Sequence, residues 1–351
     1  MKIALLNLAN NVSTFKTTPS GETIYLKKTL EEMGHEVDII SNKETEFAIP
    51  FEAVKDINGY DRLLVQNGAI NFFGGKESPT IMNNYRLMAQ YKKTIYYLLT
   101  DLRLPFNQVW PAIEKRGWGY KKEDVWVTSK VKVISQGRNL DVAKAIHKKA
   151  ILDTDMEFDY FPLDRYKLYL SGAEIAKPTE KECDLIYGGS FRGGSREGKM
   201  NEFLFDTGLS VEFFGTAKET QFKSKKYPWT HAPMFSGKIE MTEVSARNST
   251  SYATIVMGDT SYNDNYMTLR VWETMASDAV MFIDHEFDTK HTIVPDDRFY
   301  VRNKAELVSM INQIKESPEL RKELLEIQHN ALLAVYSEKA NWQIKFNEAI
   351  A

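Results

Sequence analysis

Residues 184–199, DLIYGGSFRGGSREGK, decide the fold. Asp184–Tyr187 is a short apolar run that reads as a strand, four glycines follow it, and a helical segment runs from Arg196 to Asp206. A strand that leaves through glycines into a helix is the opening unit of a doubly wound α/β sheet. Glycines let backbone N–H groups approach a phosphate, and the helix N-terminus adds a partial positive charge. The spacing matches neither G-x-G-x-x-G nor the Walker lysine pattern, so a dinucleotide or NTPase reading has no support. Arg192 and Arg196 are four apart and can fork around a diphosphate; the plain alternative is a loop with solvated arginines.

Outward from this stretch the same alternation continues. Val211–Phe214, Ala253–Met257 and Ala279–Ile283 read as strands, with a helix over Leu269–Ser277 and three more over Lys304–Glu316, Pro318–Tyr336 and Ala340–Ala349. Towards the N-terminus, Lys2–Leu8, Val37–Ile40, Arg62–Val65, Thr94–Leu99 and Val131–Ser135 read as strands. Glu22–Met33, ending at Gly34, Thr80–Gln90 and Leu140–Lys149 read as helices. Continuous apolar strands alternating with helices predict parallel sheets covered on both faces. The expectation is two doubly wound α/β units joined around Leu170–Glu182, where Ser-Gly and Lys-Pro pairs mark a linker. Ligands of such sheets bind beyond the carboxyl ends of the strands, so chemistry is sought there.

Composition agrees with this organisation. At roughly 150 residues per domain, 351 residues predict two domains. Apolar residues make up 43% and charged residues 26%, enough for a full core in each unit. The one cysteine, Cys183, excludes an intramolecular disulfide framework and a cysteine-cluster zinc site, and its place beside an apolar run predicts a buried structural thiol. No apolar run reaches the ~18 residues of a membrane span, and MKIALLNLANN reads as a first strand rather than a signal peptide, which predicts an intracellular soluble protein. A net charge of −3 argues weakly against a nucleic-acid partner. The basic residues are nevertheless clustered. Lys130, Lys132, Arg138, Lys144, Lys148 and Lys149 are opposed in sequence only by Asp141, and a second run over 218–238 carries Tyr227 and Trp229 among its lysines.

Four further segments carry chemistry. In TLRVWETMASDAV, Arg270 and Glu273 stand i,i+3 at a helix start, either as a surface ion pair or as a phosphate ligand beside a carboxylate that accepts from ribose hydroxyls. In YYLLTDLRLPF, Asp101 follows a buried strand and is either a general base or a cap for the next turn. Glu22, at the start of the first helix, carries the same two readings. In AINFFGGK, Phe72 and Phe73 cannot both point inward along an extended segment, so one is expected to be exposed and able to stack on or wedge into bases.

Together, TLRVWETMASDAVMFID, IYGGSFRGG, INFFGGK, TDLRLPF and KVISQGRNLDVAKAIHKK resemble the DNA beta-glucosyltransferase family of T-even bacteriophages, from the first strand to the last helix. The resemblance implies a GT-B fold of two Rossmann-like lobes with the active site in the cleft between them. Residues 1–170 would form the lobe for acceptor DNA and the catalytic base, 183–335 the lobe for the UDP-sugar, and 336–351 a terminal helix crossing back. It implies transfer of glucose, with inversion, from UDP-glucose to the hydroxymethyl oxygen of 5-hydroxymethylcytosine in duplex phage DNA. The target base would be flipped out, and the modified DNA protected from host nucleases, in the cytoplasm of the infected bacterium. The enzyme would act as a monomer.

Carried over residue by residue, Asp101 would be the general base, with Glu22 a sugar contact. Arg192, Arg196 and Arg270 would balance the charge of the departing diphosphate, and Gly189, Ser190 and Thr18 would line phosphate and sugar. Glu273 would hold the ribose, and Gly215, Lys238, Ile239, Met241 and Tyr262 would frame uracil and diphosphate. Asn71 and one of Phe72 or Phe73 would fill the space of the flipped cytosine. A divalent cation, Mg2+ or Mn2+, would lie near the diphosphate with Asp259 as its ligand. Ala9, Thr18, Gly21 and the Gly68–Ala69 pair depart from the family pattern around the sugar. They leave a UDP-pentose such as UDP-arabinose as an alternative donor. A GT-B glycosyltransferase with a non-DNA acceptor is the second alternative.

Overall fold

A computed structural model describes residues 1–6, 21–41, 44–66, 79–100, 119, 121–147, 155–172, 174–189, 195–215, 237, 239 and 243–351. The chain divides into two compact units, residues 1–170 with 340–351, and residues 171–339.

The first unit is built on seven strands: β1 (Lys2–Leu6), β2 (Glu36–Ser41), β3 (Ala48–Pro50), β4 (Arg62–Gln66), β5 (Ile95–Leu99), β6 (Val131–Ser135) and β7 (Met156–Tyr160). They pair in parallel in the order β3-β2-β1-β4-β5-β6-β7. The sheet is buried on both faces at its centre, where IYYLL of β5 is buried at every position, as expected of parallel strands covered by helices. Those helices include α1 (Gly21–Glu32), α2 (Pro79–Gln90), α3 (Lys122–Val125), α4 (Leu140–His147) and α5 (Arg165–Ser171). The chain leaves α1 through Gly34, whose φ of +83° is the left-handed turn that favours glycine. Chain order reverses direction across β1, between β2 and β4, which makes the carboxyl ends of β1 and β4 the switch point of this sheet.

The second unit carries β8 (Cys183–Gly188), β9 (Val211–Phe214), β10 (Ser251–Val256), β11 (Val280–Asp284) and β12 (Tyr300–Val301), all parallel, in the order β12-β11-β10-β8-β9. Its helices are α6 (Ser195–Phe203), α7 (Val244–Asn248), α8 (Leu269–Met275), α9 (Lys304–Glu316) and α10 (Pro318–Ser337). Here the switch point lies between β8 and β10, so Gly188–Gly189 and Gly258–Asp259 leave the sheet side by side. The last helix, α11 (Lys339–Ala349), belongs with the first unit. Its Trp342 is buried against Phe161, Tyr169 and Phe346 with ring centroids 5.0–5.5 Å away, and the indole N–H donates to the Pro162 carbonyl at 2.9 Å. Among the described residues no helix is long and apolar enough to cross a membrane.

Several expected boundaries shift for local reasons. The helix expected over Arg196–Asp206 stops at Phe203, because the chain turns through Asp206 at φ +54° and Gly208 at +74°. The one expected over Leu269–Ser277 stops at Met275, where the Ser277 N–H and hydroxyl both turn back to the Thr274 carbonyl. The first part of the expected linker is helical to Ser171, and Gly172, at φ +75°, ends it. The first basic run is not an unopposed surface either. Lys130 pairs with Glu157 at 2.6 Å and Lys132 with Asp159 at 3.3 Å, both partners lying on the neighbouring strand β7, which the sequence pattern had not revealed. Residues 148 and 149 and most of 216–242 lie outside the described residues.

Candidate functional site

In the second unit, two arginines stand on the elements that leave the switch point. Arg196 sits in the first turn of α6, which starts after the glycine loop that follows β8. Its Nη2 lies 3.6 Å from Oδ2 of Asp259, which follows β10, and both side chains are 14% exposed. Arg270 is the second residue of α8, and its Nε is 3.8 Å from Oε2 of Glu273 one turn on. The side chain of Glu273 is only 13% exposed, so the pair is not the solvated surface pair that spacing alone permits.

The Arg270 guanidinium rests 5.7 Å above the Phe214 ring at the end of β9. Gly188 makes this stacking possible, since a Cβ there would run into both the Phe214 ring and Nη1 of Arg270. Nε of Arg196 and Nη1 of Arg270 are buried without a hydrogen-bond partner. Leaving a buried donor unpaired costs about 1–3 kcal/mol, and more for a charged group. Two such N–H groups at one strand switch point can take hydrogen bonds to an anion.

The frame around them is tightly fitted. The Gly189 N–H donates to the Phe214 carbonyl at 2.8 Å and is therefore spent within the sheet. Gly189 serves the site by lacking a side chain, since a Cβ would sit 2.9 Å from the Tyr187 hydroxyl. Gly215 has φ of +135°, and its N–H donates to the Gly237 carbonyl at 2.7 Å, tying the end of β9 to the segment that holds Ile239. Ile239 packs on Ile186, Phe214 and Val244. Tyr262 is buried, stacks on Tyr266 with centroids 5.3 Å apart, and donates its N–H to the Asp259 carbonyl at 2.8 Å.

Helix α6 is pinned by Lys199, whose Nζ reaches Asp284 at 3.1 Å and Glu286 at 2.9 Å at the end of β11. Burial pushes the Asp284 carboxyl above its ordinary range even though the Lys199 ammonium pulls it down. Burial alone would depress the Lys199 ammonium; Glu286 and Asp284 hold it above its usual value.

In the first unit, Glu22 stands in the first turn of α1 and its Oε1 pairs with Nζ of Lys167 on α5. Beside it, the Thr23 hydroxyl donates to Oε1 of Gln66 at 2.7 Å, at the carboxyl end of β4. Asp101, Thr18, Asn71, Phe72, Phe73, Ser190, Arg192, Lys238 and Met241 lie outside the described residues, as do Ala9, Gly68 and Ala69.

The geometry thus brings together Arg196, Asp259, Arg270 and Glu273, with Gly189 at the same strand ends. Sequence reasoning missed Phe214 as a stacking partner and Lys167, and read Gly188 only as part of the glycine loop. An aromatic ending the strand VEFF was a usable signal for Phe214, whereas nothing in the sequence ties Lys167 to Glu22, 145 positions away.

The sequence model of the bacteriophage T4 beta-glucosyltransferase family matches residues 1–167. The DNA beta-glucosyltransferase of Enterobacteria phage T4 is 56% identical over 352 residues, covering 100% of this chain and 99% of that protein. A crystal structure of T4 phage BGT in complex with its UDP-glucose substrate superposes with a TM-score of 0.92 at 55% identity, over 100% of this chain and 99% of the other. T4 phage BGT in complex with UDP and Mn2+ gives the same TM-score and coverage at 56% identity.

Proposed function

This chain belongs to the bacteriophage T4 beta-glucosyltransferase family, and from that premise we propose that it transfers glucose from UDP-glucose to DNA, at the hydroxymethyl oxygen of 5-hydroxymethylcytosine. The observation that carries the donor half is the pair of buried, unpartnered N–H groups on Arg196 and Arg270, which suits a diphosphate. The likeness across the whole chain carries the acceptor half. It also favours glucose over the UDP-pentose left open by Ala9, Thr18, Gly21 and Gly68–Ala69, and DNA over another acceptor, since the T4 relative is a DNA enzyme that binds UDP-glucose.

The reaction forms a bond between the hydroxymethyl oxygen and the anomeric carbon of glucose and breaks the bond from that carbon to the diphosphate. Asp101 takes the hydroxyl proton as the nucleophile attacks, a contribution worth on the order of 10²–10⁴-fold. The two electrons of the broken bond leave with UDP, so the leaving group needs no proton. Arg196 and Arg270, with Arg192, meet the charge that develops there; the positions of Arg196 against Asp259 and of Arg270 against Glu273 and Phe214 mean that little reorganisation of these two is required. Glu273 accepts from the ribose hydroxyls. Ser190, Thr18, Lys238 and Met241 are assigned to the donor, and Asn71 with Phe72 or Phe73 to the space of the flipped base.

A divalent cation fits this site as a guest of the substrate. Among the described residues no three His, Cys, Asp or Glu side chains converge on one point. Asp259 supplies one carboxylate beside the arginines, and a cation held by one carboxylate and diphosphate oxygens is the usual arrangement for Mg2+ or Mn2+. Such a cation would neutralise diphosphate charge. The setting proposed for the reaction is the cytoplasm of an infected bacterium, where glucosylation shields phage DNA from nucleases.

Radiolabelled UDP-glucose tests the reading. Label is expected in hydroxymethylcytosine DNA and not in unmodified DNA. Asp101→Ala is expected to lower transfer by at least about 10²-fold while UDP affinity stays nearly unchanged. Undiminished transfer by Asp101→Ala would remove its role as base.

A further inference from the structure

Helix α8 has seven residues, too few to be stable alone, so the direction of Arg270 and Glu273 is set by what holds its ends. Its N-terminal cap Thr268 makes no side-chain capping bond. The firm hold is at the other end.

We infer that Gln328, on α10, is a positioning residue for the donor site: its buried carboxamide fixes the C-terminal end of α8 and thereby Arg270 and Glu273. This rests on the reading of those two residues as donor ligands. Gln328 is fully buried. Its Nε2 donates to the carbonyls of Met275 at 3.2 Å and Ala279 at 3.1 Å, with Thr274 at 3.5 Å, and its Oε1 accepts from the Met281 N–H at 2.7 Å. Next to it, Nε2 of His329 donates to the Ser277 carbonyl at 2.9 Å. One side chain therefore joins the last turn of α8, the bend after it and the first residues of β11.

Only a primary amide meets all of these partners. A carboxylate keeps the acceptor and loses the donors; a hydrocarbon removes the amide donor from the Met275 and Ala279 carbonyls and the acceptor from the Met281 N–H. Leu324 and Leu332, one turn away on either side, are buried hydrocarbons, so packing of α10 against the core does not itself call for an amide at 328. What the amide adds is a fixed orientation for a short helix that presents two ligands. A misplacement of about 1 Å at such a remove can cost on the order of 10²-fold in activity.

The test uses Gln328→Glu, Gln328→Met and the milder His329→Ala, each assayed on the whole chain well below its melting temperature. Leu307→Ala, a core truncation on α9, serves as a control for lost stability. The Gln328 variants are expected to raise KM for UDP-glucose, and Kd for UDP by calorimetry, by at least about fivefold, with His329→Ala moving them in the same direction. At a matched loss of Tm, Leu307→Ala is expected to leave both constants unchanged. Should the Gln328 variants not fold, His329→Ala against Leu307→Ala carries the comparison. Arg270→Ala and Glu273→Ala are measured alongside. If they raise KM while the Gln328 and His329 variants do not, or if Leu307→Ala raises KM equally, the positioning role is overturned. If Arg270→Ala and Glu273→Ala also leave KM unchanged, the donor-site reading falls with it.

Discussion

Gly188 has no room for a side chain, because the Phe214 ring and the Arg270 guanidinium close over its Cα. Gly188→Ala must push both away, so the account expects a loss of about 1–3 kcal/mol of stability together with a higher KM for UDP-glucose. Thermal melts and initial rates check this, and an unchanged KM would show that the stacked position of Arg270 does not matter for donor binding. This strand-loop-helix stretch was legible as a strand entering a helix through glycines, and its proposed role as a phosphate site rests on partly different groups from those the sequence suggested. The glycine loop suggested free backbone N–H groups, whereas Gly189 has already spent its own on Phe214. What the site offers instead is guanidinium N–H groups. Cys183, expected to be buried, is only partly so at the start of β8, yet burial still pushes its thiol up to about 11, far from a nucleophile's range. Lys167 was not legible, because its ion pair with Glu22 joins two helices through the fold rather than through any local pattern.

At the level of elements, the central strands and the edge strand β9 were readable, whereas the edge strands β3, β7 and β12 were not. β5 and β11 are buried at every position, and β5 and the first four residues of β11 are uninterrupted apolar runs. β7 reads MEFDY, with Glu157 and Asp159 on a largely exposed edge, and makes sense as a strand only beside Lys132 of β6 and Lys130 just before it, which it neutralises. β3 and β12, of three and two residues, are too short to leave a period. Helix α11 was expected from sequence, but its return to the first unit was implied only by the family resemblance and by no residue pattern; Trp342 packs on Phe161 and Tyr169 there and bonds to Pro162. Arg62 adds a further tie, with Nε donating to the Ile350 carbonyl at 2.6 Å. Trp342→Ala is expected to cost about 3–5 kcal/mol in denaturant unfolding of the transition that involves the first unit. A cost below about 1 kcal/mol would mean that this aromatic cluster does not hold the helix.

For the molecule as a whole, the net charge of −3 carried little information about its partner. Charge acts where it is placed: Lys130 and Lys132 are neutralised along one sheet edge, whereas Arg196 and Arg270 keep buried N–H groups in reserve at a strand switch point. Two parallel sheets were legible because alternation of apolar strands and helices is a property of long segments, which single substitutions do not erase. The donor sugar was not legible. A hexose and a pentose differ by one hydroxymethyl group, and residues such as Thr18 and Ala9 read equally well against either. The central claim is therefore best tested on the product itself. Hydroxymethylcytosine DNA is incubated with the enzyme and an equimolar mixture of UDP-glucose and UDP-arabinose, digested to nucleosides, and examined by mass spectrometry. The account predicts that the modified cytidine gains the mass of one hexose; a pentose gain, or unmodified hydroxymethylcytidine with both donors present, would contradict it.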